Sequence, residues 1–501
     1  MVNRRANLLT RAVGTLSSIA SSLATYFYNG FYPSLDPSRK EVFNGWRPRG
    51  GSVNQVTPNS FTGLSAQCRH IERATPMGRA VAEGLSADIV GSGIGVLPNT
   101  GDTKLDTELY EAFLRWAEHA MADGSSLWQW QSLAPRELAT SGNALGRIVV
   151  LPERLVKGWL PVAIIPLEAE WLAEYPVAPI PDGHRFIRGV VVDKLARPVF
   201  YHLRNPEVML TDKGEVVPAD QIIHVFERRR PQQVIGEPIL APVVERLLQD
   251  ARLIETELKA AVSTAAPAVV ITSKSAGMEE DDDGEAVTDI PAGATVRLLT
   301  DETIQTIQNN RPSQGIAPFR STIRSDIAAA CRVSQFWLDR DPSRANFSSM
   351  RMDQLLTKRC LTSLKEVVGV GVAGKPYEAA LPWLMLSVGR ALPVAAEDRA
   401  KLYCYFLRPD QPEYVDPVKD VQASINAIAN NLSTYDIELS ARGKDFRSVF
   451  KQREIENAIL KEKGLPFPQP QKNAAIEKDQ AVNSDDDEID SNTDDAEEEA
   501  A

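Results

Sequence analysis

A glycine-rich segment carries the clearest local signal for chemistry in this sequence. Residues 369–376 read Gly-Val-Gly-Val-Ala-Gly-Lys-Pro, which fits most of a phosphate-binding P-loop. In such a loop the backbone N–H groups surround phosphates, the lysine contacts them, and a following serine or threonine hydroxyl binds Mg²⁺. Pro376 has no hydroxyl, and the segment follows a predicted helix instead of a strand. We therefore interpret it as a glycine turn that ends a helix.

Histidines and cysteines show no pattern for metal binding or catalysis. The five histidines share no metal-ligand spacing, and the four cysteines are scattered without a Cys-x-x-Cys pair, which suits a reducing compartment. His202 and His224 fall inside apparent strands, where we expect hydrogen-bonded structural roles. We predict a non-enzymatic protein without metal or cofactor. The rival interpretation, a nucleotide-driven enzyme, requires Gly374 and Lys375 to bind phosphate.

The arginines form one dense cluster and one sparse series. For the dense cluster, Arg228 to Arg230 before Pro231, a solvated loop is the simplest interpretation, and a subunit interface or a phosphate contact are alternatives. The sparse series would mean little in a monomer. In a ring of identical subunits it would form stacked rings of positive charge that meet phosphates without reading bases. Its members are Arg320, Arg324, Arg332, Arg340, Arg344 and Arg351.

Much of this series surrounds a polar segment, residues 339–351, between two predicted helices. The first helix ends near Pro342, because the residue before a proline avoids the helical conformation. Ser348 or Ser349 would cap the second helix, with Asp353 in its first turn. The pattern predicts a short arginine-bearing loop between amphipathic helices. Their apolar stripes are Phe319, Ile323 and Ile327 before the loop, and Met352, Leu355, Leu356, Cys360, Leu364, Val367 and Val368 after it.

The remaining periodicity predicts helices, then strands, then a long helix. Helical spacing covers residues 61–95 and 105–121, and an aromatic cluster follows at Trp128-Gln-Trp130. Short β-branched runs predict strands at 147–151, 162–165, 189–192, 199–203, 222–226, 268–271 and 294–299. Residues 238–266 predict a long helix with an apolar side and a polar side that includes Arg252 and Lys259. The order predicts an excursion into a small β-rich segment and a return along paired helices.

The net charge of −12 is concentrated at the carboxyl end of the chain. Residues 474–501 contain twelve Asp or Glu residues and one Lys, a contribution of −11, so the body carries about −1. A segment of this composition cannot bury enough apolar surface to fold, and we expect it to be disordered. It would repel DNA or recruit a basic scaffold or capsid partner, or it is merely a solubilising tail. The near-neutral body excludes a sequence-reading DNA-binding protein.

Length and hydropathy bound the remaining possibilities. A chain of 501 residues exceeds one compact core, so we expect two or more folding units. No apolar run reaches the length of a membrane span. Residues 1–30 loosely imitate a targeting peptide, but serines interrupt the apolar part and no convincing cleavage site follows. We favour an N-terminal arm with a helix that docks on a neighbouring subunit.

With these features in place, the sequence resembles the portal proteins of tailed phages, lambda family, from about residue 60 to 465. Several motifs in a fixed order carry the resemblance. They are Ile89-Val-Gly-Ser-Gly-Ile94, Trp128-Gln-Trp130, Ile222-Ile-His224-Val-Phe with Arg230-Pro-Gln, Gly236-Glu-Pro-Ile-Leu-Ala-Pro242, Arg332-Val-Ser334 with Asn346-Phe-Ser-Ser-Met-Arg351, Tyr414-Val-Asp-Pro417-Val-Lys, and Gly443-Lys-Asp445 with Gln452-Arg-Glu454 and Gly464-Leu465. One departure is Arg332, where the family often has glycine; it would add charge near the channel.

The resemblance implies an α+β portal-type subunit with an α/β wing, a helical stem, a small β-rich clip and a helical crown. The implied ranges are a partly disordered N-terminal arm at 1–60, wing at 61–235 and 373–413, stem helices at 236–266 and 316–338, clip at 267–315, tunnel loop at 339–350, a long helix behind it at 351–372, crown at 414–464 and a disordered acidic tail at 465–501.

The resemblance also implies a ring, typically a dodecamer, at one capsid vertex of the virion, assembled in the host cytoplasm. The ring would conduct double-stranded DNA during packaging and ejection. Its partners would be the terminase large subunit, the major capsid and scaffolding proteins and a head–tail adaptor, with no membrane. A ring-forming tail or baseplate protein without a DNA channel is the alternative. The implied DNA-facing residues are Arg340, Arg344, Asn346, Ser348 and Arg351 in the tunnel loop, and Arg252, Lys259, Arg320 and Arg324 in the stem.

Overall fold

The structure, a computed structural model, describes residues 51–208, 213–265, 269–273, 302–306, 315–340, 346–408, 417–440 and 446–464, together with Arg442 and Pro466. The helices in these residues are α1 (Val53–Ala74), α2 (Pro76–Ile89), α3 (Thr103–Ala117), α4 (Leu127–Thr140), α5 (Val244–Ala265), α6 (Ile316–Cys331), α7 (Gln335–Asp339), α8 (Phe347–Gly369), α9 (Lys375–Ser387), α10 (Ala396–Leu402), α11 (Pro417–Ala429), α12 (Tyr435–Ser440) and α13 (Phe446–Glu462). The strands are β1 (Gly95–Pro98), β2 (Ala144–Val150), β3 (Val162–Leu167), β4 (Arg185–Ile187), β5 (Val190–Val192), β6 (Pro198–Leu203), β7 (Glu215–Pro218), β8 (Ile222–Val225), β9 (Val269–Ser273), β10 (Glu302–Thr306) and β11 (Tyr405–Arg408). Helices and small sheets are mixed, in agreement with the coarse α+β prediction.

Two helices, α1 and α2, replace the single helix predicted for residues 61–95. Thr75 separates them with an extended backbone, and its hydroxyl accepts the N–H of Gly78 at 3.1 Å. Pro76 then starts α2, where a missing N–H costs nothing. Since α1 begins at Val53, the predicted end of the arm at residue 60 falls inside this helix and is wrong. Residues 1–50 lie outside the described residues.

Two antiparallel sheets follow α4. The first has the order β3-β2-β8 and the second β4-β5-β6-β7. Gly146 of β2 pairs with Pro166 on one side and Ile223 on the other. Every strand predicted between residues 144 and 225 is therefore confirmed. The sequence pattern does not predict the short β4 and β7, and it also misses β1, which pairs with β11 through Val96 and Leu407.

The main hydrophobic core combines the helices before the two sheets with α8 and α9, which follow much later in the chain. Phe113 of α3 is buried and meets the buried ring of Tyr377 in α9 edge-on, with 5.6 Å between the ring centroids. α1, α2, α4 and α8 contribute to the same cluster, and a smaller cluster lies under the β4–β7 sheet. The predicted wing segments 61–235 and 373–413 thus share one core.

Helices α5 and α6 flank a β-hairpin. The helix predicted for residues 238–266 begins only at Val244, because Pro238 and Pro242 occupy the preceding turn. β9 and β10 pair antiparallel, with Ile271 opposite Ile304, so one strand predicted for the clip is confirmed. The run predicted at 294–299 lies outside the described residues, and β10 is a strand that the pattern does not predict.

The predicted helix 316–338 is two helices. α6 ends at Cys331, and the short α7 follows after a sharp turn. α8 then starts at Phe347, inside the segment predicted as loop 339–350, and runs through a π-helical turn at Val370–Gly374 directly into α9. The predicted boundaries at 338, 350 and 372 are therefore corrected.

A second compact unit contains α12 and α13. In this unit the ring centroid of Phe450 lies 4.3 Å from that of Phe446 and 6.0 Å from that of Tyr435. The acidic tail predicted to be disordered lies outside the described residues, apart from Pro466. In the part of the chain that the structure describes, no helix is both long and apolar enough to span a bilayer.

Candidate functional site

The turn after α6 is built on an arginine in a left-handed backbone conformation. Arg332 has φ 59° and ψ 35°, and its N–H donates to the carbonyl of Ala328. This region costs a residue with a side chain about 1–2 kcal/mol, whereas glycine enters it freely. The backbone therefore gives a physical reason for the glycine that the family often has at this position.

The side chain of Arg332 is held by Glu227. Nη1 and Nη2 donate to the two carboxylate oxygens, each at 2.7 Å, and Nε of Arg229 donates to the same carboxylate at 3.3 Å. Burial acts to raise the pKa of Glu227, but the hydrogen bond and charge of Arg332, with help from Arg229, outweigh it and hold that pKa below its usual value. Arg332 thus shares one carboxylate with Arg229 inside the protomer, and the expectation that it adds charge near a channel stays a prediction.

Arg320 and Arg324 are also engaged by carboxylates of the same chain. Nε and Nη2 of Arg320 donate to the buried Asp250 of α5 at 2.9 and 3.2 Å, which links α5 to α6. Arg324 donates to Asp339 at the end of α7. Paired charges inside the protomer serve packing, so this geometry favours structural roles over the channel-facing roles predicted for both arginines.

Arg340 lies where the chain leaves α7, and it stacks on an aromatic ring. Its guanidinium lies 3.9 Å from the ring centroid of Trp337, a cation–π geometry. The indole N–H of Trp337 donates to the carbonyl of Ala80 at 2.8 Å, and Gly84 leaves room for the indole against α2. Arg340 is exposed on its outer side, so it is anchored and still accessible.

Asn346 caps α8 and does not belong to a free loop. Its side-chain oxygen accepts the N–H of Ser349 at 2.7 Å, and the Ser349 hydroxyl accepts the N–H of Asn346 at 3.1 Å. The prediction that Ser348 or Ser349 caps this helix is therefore wrong. Ser348 lies in the first turn and is exposed, and Asp353 binds the hydroxyl of Ser334, which caps α7.

Arg344 and Arg351 are the other arginines predicted in the tunnel loop. Arg344 lies outside the described residues. Arg351 is exposed on the second turn of α8. The structure thus brings Arg340, Asn346, Ser348 and Arg351 to the two ends of one connection between α7 and α8, while their predicted contact with DNA stays a prediction.

On α5, Arg252 and Lys259 lie on an exposed face. Nζ of Lys259 donates to Glu255 at 2.6 Å, one turn away, and both side chains are well exposed. Such surface pairs contribute little to stability, so Lys259 can leave Glu255 for another anion at a small cost in free energy. Asp250 has the opposite position: it is buried on the apolar side. Asp250 is not among the predicted site residues, although its spacing of three from Leu247 and four from Ile254 places it on that side.

The apolar stripes of these helices are only partly covered. Leu247 at the start of α5 is buried, but Leu258 and Val262 farther along are 62 % and 66 % exposed. The same holds for Phe319 at the start of α6 and for the first turns of α8 at Met352, Leu355 and Leu356. We call these exposed apolar side chains on α5, α6 and α8 together the apolar face; exposed apolar area of this kind is typical of interaction surfaces.

Comparison with known proteins decides the family. A family model described as phage portal protein, lambda family, matches residues 39–363. The chain belongs to this family. Among solved structures, the chain is similar to the neck of an empty gene transfer agent particle computed with C6 symmetry, with a TM-score of 0.47 and 14 % identity over 83 % of this chain and 99 % of that one. It is also similar to the virion of a native gene transfer agent particle, with a TM-score of 0.44 and 14 % identity over 76 % of this chain and 93 % of that one.

In this portal protein the P-loop-like glycines are helix-packing positions. A Cβ at Gly371 would lie 2.3 Å from a Val225 methyl group, and one at Gly374 would lie 2.2 Å from the Tyr405 hydroxyl. Lys375 donates to Glu378 at 2.6 Å. The segment is a π-helical turn inside a continuous helix, so its interpretation as a glycine turn that ends a helix is wrong. The prediction that this segment is not a phosphate-binding loop agrees with its helical geometry.

A side chain of α4 replaces a backbone hydrogen bond that Pro376 cannot make. A proline cannot donate to the carbonyl four residues earlier, here that of Val372. The buried side chain of Gln131 donates to this carbonyl at 3.3 Å, and it binds the backbone of Ile94 on both sides, at 2.7 and 3.0 Å. Gln131 therefore joins α4, the start of β1 and the π-helical turn of the portal protein, a role that its sequence neighbours alone do not reveal.

His224 and His202 of the portal protein have hydrogen-bonded structural roles, which confirms the prediction. His224 contacts Asn143 at 3.0 Å and the Tyr201 hydroxyl at 3.2 Å. Burial and the charge of Arg228 lower the pKa of His224 to about 3, so it is neutral. His202 accepts the N–H of Val177 at 3.1 Å. Among the described residues, no group of three or more His, Cys, Asp or Glu side chains could hold a metal ion.

Proposed function

We propose that this portal protein assembles into a dodecameric ring at one capsid vertex of the virion and serves as the head–tail connector. The ring conducts double-stranded DNA during packaging and ejection. The apolar face is the observation that carries the ring: three helices of one protomer leave it exposed, and a second copy of the chain supplies the matching surface. Family membership supports this arrangement.

The channel contact that we propose is weak and independent of sequence. Tight phosphate binding would stall a moving duplex, so sparse cations suit the task. Exposed Arg252, Lys259 and Arg340 fit such a role, and we retain Arg344 and Arg351 as candidates in the same connection. The pairs of Arg320 and Arg324 with carboxylates support structural positions for those two.

The capped geometry of Asn346 changes how the DNA contact is tested. Replacing Asn346 by alanine would remove the cap of α8 as well as a channel group, so Asn346→Ser is the better partner for Arg344→Ala because serine also caps helices. We expect particles with both changes to lose full-length DNA during packaging or retention. The matched control carries Asn346→Ser alone. Normal packaging and retention by the double variant would refute the channel role.

Ring assembly is tested by changing the apolar face. We expect Leu258→Asp with Leu355→Asp to leave a folded protomer and to abolish rings in negative-stain micrographs, because charged side chains are not tolerated in a buried apolar contact. Glu255→Ala, on the exposed side of α5, is the control. Rings of unchanged abundance in the double variant would refute the proposed interface.

Two alternatives remain distinguishable. A tail or baseplate ring would assemble similarly but would form without a DNA channel, so packaging would be insensitive to Arg344→Ala with Asn346→Ser. A nucleotide-driven enzyme would hydrolyse ATP in the absence of terminase. The packing of Gly371 and Gly374 speaks against the second alternative.

The partners that we propose are the terminase large subunit, then a head–tail adaptor, with major capsid and scaffolding proteins around the ring. The β9–β10 end is the expected docking end for terminase and adaptor. The acidic segment 474–501 either recruits a basic partner or only solubilises the chain. Unchanged assembly of a chain lacking residues 474–501 would rule out the recruiting role.

A further inference from the structure

The exposed cluster Arg228–Arg230 is not used by the function described above. All three side chains are exposed, and so are the following Pro231 and Gln232. Arg228 lies over the ring of Phe226 at 5.5 Å, and Nη2 of Arg230 donates to the carbonyl of Gly51 at 3.3 Å. We call these three arginines the basic loop.

The backbone of the basic loop is held rigidly from inside. The buried Gln233 accepts the N–H of Arg229 at 2.8 Å and of Arg230 at 3.2 Å, and its amide donates to the carbonyl of Ile235 at 2.8 Å. From the other side, Asn54 donates to the carbonyl of Gln232 at 2.7 Å and accepts the N–H of Val234 at 3.1 Å. A fixed backbone lowers the entropy lost when the arginines bind a ligand.

The charge around the basic loop is strongly unbalanced. Glu227 is the carboxylate that pairs here, and it is shared between Arg229 and Arg332. Arg228 and Arg230 form no salt bridge with any described carboxylate. The loop therefore presents two uncompensated guanidinium groups and part of a third.

The chemistry of the surface favours a phosphate polymer over a protein partner. Buried protein interfaces are built around apolar and aromatic side chains, but the exposed residues from Arg228 to Gln232 offer only cations, a proline and an amide. Guanidinium groups bind phosphate oxygens in a bidentate manner.

We propose that the basic loop is a binding site for the phosphodiester backbone of double-stranded DNA, separate from the connection between α7 and α8. The contact is independent of base sequence, because no side chain in the loop is arranged to read base edges. The inference takes its ligand from the proposed function, but it concerns binding by the protomer and does not require a ring or translocation.

The test measures DNA affinity against salt concentration. Fluorescence anisotropy of a labelled duplex of arbitrary sequence is followed with the full chain, with Arg228→Ala plus Arg230→Ala, and with a control carrying Arg185→Ala plus Lys194→Ala. The control removes the same charge from an exposed hairpin elsewhere. We expect the first variant to bind about tenfold more weakly and its slope of log K against log salt to be smaller by about 1.8, because each phosphate contact contributes about 0.9.

A conservative variant separates charge from fold. Arg228→Lys plus Arg230→Lys keeps the charge, so its slope should stay near that of the natural protein while its affinity falls slightly. An unchanged slope in the alanine variant, or the same change in the control, would overturn the proposal. It would also be overturned if the alanine variant lost binding of an acidic peptide, such as residues 474–501, but kept its affinity for DNA. Failure of ring formation in micrographs would count against the proposed function and leave this result untouched.

Discussion

Arg332 makes two contributions to stability that have opposite signs, and two substitutions separate them. Its backbone has φ 59°, which costs about 1 kcal/mol for a residue with a side chain. Its guanidinium makes two hydrogen bonds to Glu227. Arg332→Ala removes the ion pair and keeps the backbone cost. Arg332→Gly removes the ion pair and also relieves the backbone.

The structure gives the expected size of each effect. A hydrogen bond to a charged group contributes about 1.5–3 kcal/mol when buried, and exposed ion pairs contribute about 0–1 kcal/mol. The side chains of Arg332 and Glu227 are 18 % and 23 % exposed, and Arg229 stays on the carboxylate after the change. We therefore expect Arg332→Ala to lower the free energy of unfolding by about 2 kcal/mol. Arg332→Gly should lower it by about 1 kcal/mol.

The pH dependence distinguishes the two contributions. The folded pKa of Glu227 is depressed, so the ion pair stabilises fully above the ordinary glutamate pKa of about 4.3 and loses its effect as pH falls through the lower folded value. Below that value, the natural protein and Arg332→Ala should converge. The difference in unfolding free energy between the alanine and glycine variants should persist, because backbone strain does not depend on protonation.

The assay is urea unfolding of the full chain under monomeric conditions, followed by tryptophan fluorescence; Trp337 lies five residues from the change. Arg340, with φ 50° and no ion pair in the described residues, supplies the control. Its glycine and alanine variants should also differ by about 1 kcal/mol, without the pH dependence. A glycine variant at position 332 that is as unstable as the alanine variant at every pH would refute the backbone argument.

Three further predictions follow from the packing and the charges. Gly371→Ala should destabilise the protein by about 1–3 kcal/mol, because the new methyl group meets Val225 at 2.3 Å; thermal unfolding against a surface Ala control checks this. Asn346→Ala should cost about 1 kcal/mol and Asn346→Ser much less, measured by hydrogen exchange of the first turn of α8. Arg69→Met should cost about 2–3 kcal/mol, because it leaves Glu137 and a second carboxylate without their shared partner. Burial already raises the pKa of Glu137, and losing the Arg69 charge raises it further, so the loss should shrink as pH falls into the acidic range and this carboxyl takes up a proton. Unfolding at several pH values would show it.

The sequence predicts elements that local periodicity determines. The β-branched runs became β2, β3, β5, β6 and β8, because alternating or continuous apolar residues have one way to bury their faces. The order from α5 through the strands β9 and β10 to α6 is likewise predicted by the order of helical and strand-like periodicity. Helix boundaries were less predictable: Thr75 interrupts one helix because it precedes Pro76 and because its hydroxyl accepts the N–H of Gly78.

Features that depend on distant partners were not predictable. Val96 pairs with Leu407, and Asp250 finds Arg320 across two helices; neither pairing leaves a signal in nearby residues. The role of the glycine segment 369–376 is likewise not predictable from nearby residues. Its fit to a P-loop is local, whereas its function as a close contact depends on Val225, which lies far away in the chain.

These distant pairings change the electrostatics of the proposed channel. From the sequence alone, Arg320, Arg324 and Arg332 are three positive charges that every subunit of a ring would repeat. In the structure each holds a carboxylate of its own protomer, so a ring would multiply ion pairs instead of free cations, with Glu227 shared between Arg332 and Arg229. DNA affinity grows steeply with each phosphate contact, and a conduit must keep that affinity low. The pairing therefore favours the proposed loose channel, while Arg228 and Arg230 of the basic loop form no salt bridge with any described carboxylate.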